Sequence, residues 1–476
     1  MTDSFSNNSS LQRAHSESGA PIPETYQAPP SIDEGTDVEI ADVVLSDLAR
    51  RYGSRIISCD GQFYAYGGTH WRALATKELK SAIYGYDKAK LSKSAVVKLN
   101  TGRTGSILTI MGVRADEPEF FSGAPKGINC KSGFIEFDLS GMPCLTTHSP
   151  DHRQRHCLPG EWSPQTEWQE AKLLNTFLGG CFGADEDAQE KIALISDVCG
   201  IAALGCATKL PSPKAIVLLG TSAANGKSEL LAMIKGLLPS DAVCAIPPSR
   251  FSDERMLVQL AGRKLNACAE LGTSRAIAAD VFKEVVTGDE VMAKDIYCPA
   301  TFFRPVAQHI YATNSLPPFQ GGFDPGVERR LLVLVFHRTI PEHERIAEIG
   351  TRIAHEEADA LLAFAVEGAT RVLQAGHFTQ PKSSREALRE WIHRADPVLA
   401  WKERRTAYAA KAETPVPHAY DDFVKWADEE GIEKAKLPSS NNFVLRLRAH
   451  EGRFGKRTHK DVRMIVGLFV KPEGEG

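Results

Sequence analysis

The sequence predicts an α/β protein with a central nucleotide-binding type of core, a small α+β region before it and a helix–loop–helix–strand segment after it. Two observations carry that prediction. The apolar run 215–219 passes through a small-residue loop into an amphipathic helix, and strand and helix patterns then alternate to about Phe336. A third observation frames the core. Before about residue 165 short apolar runs are broken by Gly and Pro, and after about residue 343 helical periodicity takes over.

Taken in order, residues 1–37 are rich in Ser, Asn, Pro and acids and show no apolar period, which predicts a disordered leader. Residues 38–165 predict an α+β accessory domain. Ile40, Val43, Val44 and Leu48 fall on one helical face, and the segments 63–66, 106–110 and 133–137 read as strands. Residues 166–343 open with a helical stretch to about Gly205 and continue as the α/β core. Residues 344–410 read as helical. Residues 411–476 give helix, loop, helix and a final strand pair (463–466, then 468–470), an order that suits a winged helix.

Bulk properties set limits on this plan. The chain has 476 residues, too many for one ordinary domain, and a net charge of −4, so it is not globally basic. A few local cations are enough to bind nucleic acid, so that balance excludes little. The ten cysteines form no CxxC pair, no apolar run is long enough for a bilayer, and the N-terminus lacks a signal-peptide core. The expectation is a cytoplasmic protein with no membrane partner.

The chemistry starts at Gly220-Thr221-Ser222-Ala223-Ala224-Asn225-Gly226-Lys227-Ser228, which follows the apolar run and opens a helix carrying Leu230, Leu231, Ile234 and Leu237. Strand, small-residue loop, Gly-Lys-Ser and helix is what a phosphate cradle requires. Loop amides and the helix N-terminus face the phosphate oxygens, Lys227 reaches the β/γ phosphates and the Ser228 hydroxyl binds Mg²⁺. The strict spacing would put a glycine at 221, but here Gly220 comes one residue early. The loop predicts a nucleotide such as ATP and does not separate a kinase from a motor.

Three later pieces narrow the class. The apolar segment 264–270 ends in Glu270, a carboxylate able to hold Mg²⁺ or polarise a water, or else a strand-terminal acid facing solvent. The segment 309–314 ends in Asn314, whose carboxamide can both donate to and accept from an attacking water, although Thr-Asn is also a common strand-to-turn pair. Arg329 and Arg330 precede another strand and are either surface cations or the pair from which a ring ATPase lends an arginine to its neighbour's site.

From about Gly127 to Phe336 the order of these pieces resembles the helicase region of the bacteriophage and plasmid primase-helicases, superfamily 3 helicases related to the poxvirus primase-helicase. The matching pieces are Gly-Phe-Ile-Glu-Phe-Asp at 133–138, Thr-His-Ser-Pro-Asp-His at 147–152, the Asn-Gly-Lys-Ser loop, Glu270, Lys283 with Thr287-Gly288-Asp289, Ala-Thr-Asn-Ser-Leu-Pro at 312–317, and the arginine pair. The resemblance implies an AAA+-like P-loop core, a homo-hexameric ring, ATP between subunits and single-stranded DNA in the channel. It makes Lys227 and Ser228 nucleotide ligands, Glu270 the Walker B acid, Asn314 the sensor, and Arg329 or Arg330 the arginine finger. Many members carry two adjacent acids where this chain has Ala269-Glu270. The resemblance also implies a DNA-gripping hairpin at 291–297, with Lys294 on phosphate and Tyr297 stacking, although a solvated lysine and a packed tyrosine fit the same residues.

Other features carry less. Cys144, His148, His152, His156 and Cys157 lie close together, but Pro143, Pro150 and Pro159 oppose the continuous helix that would align them as zinc ligands. Segment 441–476 holds eight Lys and Arg against four acids, so Arg453, Lys456 and Arg457 on a wing are expected to touch DNA, or else to solvate a basic surface. With only the leader ahead of the accessory domain, no primase module is expected, and a separate primase or initiator becomes the expected partner. The sequence therefore predicts an ATP-dependent helicase acting on single-stranded and forked DNA. An origin-binding initiator or helicase loader and a P-loop kinase stand as alternatives.

Overall fold

The computed structural model describes residues 32–92, 95–220, 224–272, 275–294, 300–320, 324–434, 437–459 and 462–472. The leader up to residue 31, Thr221, Ser222, Ala223 and Tyr297 lie outside the described residues. Contacts divide the chain into two compact units, Met1–Arg51 with Ala75–Ala115, and Tyr52–Leu74 with Asp116–Gly476. The segment expected as one accessory domain thus contributes to both.

In the first unit, helix Asp37–Tyr52 buries Ile40, Ala41, Val44 and Leu48. The segment 106–110, expected as a strand, lies inside helix Thr101–Arg114. Its β-branched residues suggested extension, but Thr104, Ile107 and Met111 share one buried helical face and the Asn100 side chain caps the Arg103 amide at 2.9 Å.

The second unit begins with two three-stranded antiparallel sheets, Ile56–Cys59, Gln62–Tyr66 and Trp71–Ala73, then Gly127–Cys130, Gly133–Phe137 and Pro143–Thr146. Helices Lys172–Phe182 and Ala188–Leu204 lead into a five-stranded parallel sheet. Its order is Leu331–Val335, Ala215–Leu219, Gln308–Thr313, Leu265–Cys268, Val243–Cys244. Ile216 and Leu218 join one hydrophobic layer while Ala215 and Val217 join the other, so the sheet is covered on both faces. This explains the unbroken apolar run in sequence. Helix Ala358–Ala375 lies tightly on Ala188–Leu204, because Gly200 and Gly368 each face the backbone of the opposite helix with no room for a Cβ.

Residues from Pro397 onward form their own cluster around Trp401, Phe423, Phe443 and Leu468. The order is helix Pro397–Arg405, strand Thr406–Pro415, helix Val416–Glu429, helix Ser440–His450, strand Gly455–His459 and strand Val462–Val470. The last strand lies between the other two, antiparallel to both. Two expectations change here. Residues 406–410 are strand rather than helix: the three alanines among them favour helix locally, but pairing with Val462–Val470 overrides that preference. The expected final strand pair is one strand, within which Gly467 sits at φ +92°, near the register shift between Tyr408 and Glu413, rather than in a turn. Among the described residues no helix is long and apolar enough to cross a membrane.

Candidate functional site

A parallel sheet brings the C-terminal ends of its strands to one edge, where the following loops converge. Gln308–Thr313 lies between Ala215–Leu219 and Leu265–Cys268, pairing Thr313 with Leu219 and Tyr311 with Cys268. That order sets Asn314, the first residue after the middle strand, between the Gly220 loop and Glu270. The Leu271 amide donates to the Ala312 carbonyl at 3.0 Å and holds the acid-bearing turn against the middle strand.

The early glycine has a steric reason. A Cβ on Gly220 would collide with the Asn225 amide and approach Lys227 Nζ to 2.8 Å. Gly226 precedes the helix at φ +94°, and a Cβ there would come within 2.5 Å of Cys181 Sγ. Between them Ala224 stands at φ +54°, its carbonyl accepting from the Ile340 amide at 2.9 Å.

Lys227 is the first residue of helix Lys227–Gly236 and is itself buried. Its Nζ donates to the Gly220 carbonyl at 2.9 Å, to Asn314 Oδ1 at 3.0 Å and to Asn225 Oδ1 at 3.2 Å. All three acceptors are neutral, and among the described residues no carboxylate pairs with this ammonium. Burial pushes its pKa down from the ordinary lysine value. A buried cation with only dipoles around it, at a helix N-terminus and lining a cavity, is suited to an anion that brings the counter-charge. Ser228, Glu270 and Asn314 are exposed toward the same cavity, whose volume is about 790 Å³. The cavity is also lined by Phe177 from helix Lys172–Phe182 and by Ile340, Ile346 and Ile349 from the segment after the sheet, with Glu344, Arg345 and Glu348 among them, and Phe177 and Ile340 lie against Gly226 of the loop. Sequence reasoning missed these apolar lining residues because they lie far from the loop along the chain and belong to no motif.

The residues present fit a magnesium–nucleotide. An oxygen pair, the Ser228 hydroxyl and the Glu270 carboxylate, lines the cavity beside the lysine, and hard oxygen donors are what Mg²⁺ takes.

The remaining sequence candidates lie elsewhere. Arg329 and Arg330 precede Leu331–Val335, at the opposite edge of the sheet from Lys227, roughly 16 Å away by strand length. Arg329 is exposed. Arg330 is half-buried, donates to the Gly326 carbonyl at 2.7 Å and keeps a buried Nε without a partner. Burial, then the neighbouring Arg329, lowers its pKa below the usual arginine value. Exposed Lys294 follows strand Val291–Ala293, which pairs antiparallel with Thr301–Phe303. In the C-terminal cluster, Arg453 is held by both Glu451 oxygens at 2.7 and 2.8 Å and lies 4.1 Å from the Tyr408 ring centre. Arg457 pairs with Glu413 at 2.7 Å, and Lys456 is exposed. Of the His/Cys group, His148 bonds the Cys130 carbonyl at 2.9 Å, His152 stacks on Phe134 and His156 is buried.

A family of unknown function (DUF5906) matches residues 218–330, from the end of the loop strand to the arginine pair. No curated protein matches the sequence. Among solved structures, the A-form apo structure of the NrS-1 C-terminal region is similar at 10% identity and TM-score 0.45, covering 89% of this chain and 99% of that one. An apo structure of the same region gives 9% identity and TM-score 0.42, covering 92% of this chain and 100% of that one. Likeness at this level leaves the assignment to the residues themselves.

Proposed function

We propose that this chain is a magnesium- and ATP-dependent DNA motor of the superfamily 3 helicase type, serving replication of a phage, plasmid or similar element. The observation that carries the reading is the Lys227 ammonium, held by Gly220, Asn225 and Asn314 in a cavity that also receives Ser228 and Glu270. Placing the Asn314 strand between the loop strand and the Glu270 strand supports an AAA+-like P-loop core. The α-β-α-α-β-β order after Pro397 supports a winged helix.

In this reading Lys227 and the amides of the helix N-terminus bind the β and γ phosphates. Ser228 and Glu270 hold Mg²⁺, which when bound neutralises phosphate charge. Asn314 releases Lys227 to the phosphates and orients a water, with Glu270 as the carboxylate that polarises it. The apolar side chains that line the cavity, among them Phe177, Ile340 and Ile349, pack against the base. Arg329 and Arg330 lie too far from Lys227 of their own chain to share its site. They act, in this reading, on the nucleotide of a neighbouring copy in a ring. Lys294, beside the hairpin, contacts single-stranded DNA.

The test is strand separation on a forked duplex with ATP, together with the mass of the assembly with and without nucleotide. Lys227→Ala abolishes unwinding. A Lys227→Ala variant that still unwinds the fork disproves the motor assignment. An intact chain that hydrolyses ATP without unwinding favours the loader or initiator alternative.

A further inference from the structure

The cavity holds one carboxylate that the chemistry proposed above leaves unused. Among the described residues four acids line it, Glu229, Glu270, Glu344 and Glu348. Glu270 already has a role. Glu344 is held by Arg338 at 2.6 and 2.7 Å, and Glu229 Oε2 accepts from the Gly350 amide at 2.8 Å. The Glu348 carboxylate has no hydrogen bond or ion pair with any described residue.

Its backbone is held where a glutamate does not go by preference. Glu348 stands at φ +51°, directly before helix Ile349–Glu356, and its carbonyl accepts from the Arg352 amide at 2.9 Å. Three contacts fix the segment that carries it. The Ile340 amide donates to the Ala224 carbonyl of the loop, and Arg338 Nη1 donates to the Gly180 carbonyl at 2.6 Å. At the far end Gly350 packs on the backbone of Glu229, in the first turn of the loop helix, with no room for a Cβ. The place of the carboxylate is therefore tied to the phosphate loop and its helix.

Sheet order decides which part of a nucleotide it meets. Gln308–Thr313 pairs with one side of Ala215–Leu219 and Leu331–Val335 with the other. Asn314 and Glu270 come from the first side, which is where the reading above puts the metal and the γ-phosphate. The segment with Glu348 leaves from the second side, so it meets the nucleoside. Phosphate oxygens are acceptors and repel an unpaired carboxylate, whereas a ribose offers two adjacent hydroxyl donors. A carboxylate has two oxygens to receive that pair, and acids read ribose hydroxyls in this way beside other phosphate-binding loops.

We infer that Glu348 is a specificity-determining residue, its carboxylate accepting hydrogen bonds from the 2′ and 3′ hydroxyls of the ribose, so that the site selects ribonucleotides over deoxyribonucleotides. The inference rests on the nucleotide-binding part of the reading above and deepens it by naming the substrate class.

The experiment measures binding of ADP, 2′-deoxy-ADP, 3′-deoxy-ADP and GDP to the full chain with Mg²⁺ by calorimetry. Unwinding of a forked duplex is followed in parallel. The intact chain should bind ADP about tenfold more tightly than either deoxy form, the loss expected for one hydrogen bond to a charged acceptor. Glu348→Gly suits the left-handed backbone and removes the carboxylate, and its ratio of ADP to deoxy-ADP affinity should fall to about one. Glu348→Gln keeps the shape without the charge, and its ratio should lie between the two. A purely structural role would weaken all four ligands by the same factor. The inference is overturned by that result, by equal binding of ADP and both deoxy forms to the intact chain, or by variants that keep the intact ratio. Variants that change the preference for ADP over GDP instead would also overturn it, because the carboxylate would then face the base. A chain that binds no nucleotide sinks this inference and the motor reading together. One that selects ribose but leaves the fork closed sinks the motor reading alone.

Discussion

The cavity at the sheet edge and the cluster after Pro397 both present cations, yet the two kinds of cation mean different things. In the cavity Lys227 is buried and surrounded by neutral oxygens, so its charge is uncompensated and an anion is the natural complement. In the cluster Arg453 and Arg457 are exposed and already joined to Glu451 and Glu413. Exposed pairs of that kind contribute little and advertise little. Where a cation's counter-charge lies says more about function than how many cations a segment holds.

The comparison is sharpened most by variants expected to disable one region and spare the other. Glu270→Gln keeps the shape of the cavity and removes its carboxylate. ATP hydrolysis should fall about 10²- to 10³-fold while a fluorescent nucleotide still binds. Normal turnover in this variant would remove Glu270 from the chemistry. Next in size is Trp401→Ala. Trp401 is fully buried, and its Nε1 donates to Asp422 Oδ1 at 2.7 Å. Truncation should cost about 3–5 kcal/mol, seen as faster amide exchange across residues 397–470, with hydrolysis retained. If hydrolysis fell with it, the two regions would not be separable.

A smaller effect is expected at Asp396, which caps the Val398 and Leu399 amides and pairs with His450 at 2.7 Å. Burial would raise its pKa, but the His450 contact and the Leu399 amide outweigh it and hold the carboxyl below the usual aspartate value. A depressed folded-state pKa gives stability that is present above the unfolded value and lost as pH falls through the folded one. Asp396→Ala should therefore cost about 1–2 kcal/mol at neutral pH, and the gap from the intact chain should close in acid, as measured by urea melts across pH. Equal gaps at every pH would assign the effect to packing alone. The smallest effect belongs to Arg457→Ala, under about 1 kcal/mol in the same melts, with no change in hydrolysis. A large loss there would erase the contrast between the two regions.

Much of the core was legible in the sequence because its signals are local. A five-residue apolar run, Gly-Lys-Ser and an amphipathic helix occupy adjacent positions, and the strands ending near Glu270 and Asn314 read as short apolar segments. Segment 106–110 and residues 406–410 differ from their local signals because propensity gives way there to a buried helical face and to a strand partner far along the chain. The apolar wall of the cavity left no local trace, since Phe177 and Ile349 meet only after folding.

The phosphate-loop signature that predicts an α/β core was fixed by the sequence itself, including the early Gly220, because neighbours in the chain are held by covalent geometry. What Lys227 touches was decided by tertiary structure alone. Asn314 reaches it from 87 residues away because its strand inserts beside the loop strand. Tertiary structure also decided which C-terminal cations remain available, by bringing Glu413 to Arg457 across 44 residues. Electrostatic meaning depends on distance in space, and a sequence records distance only along the chain.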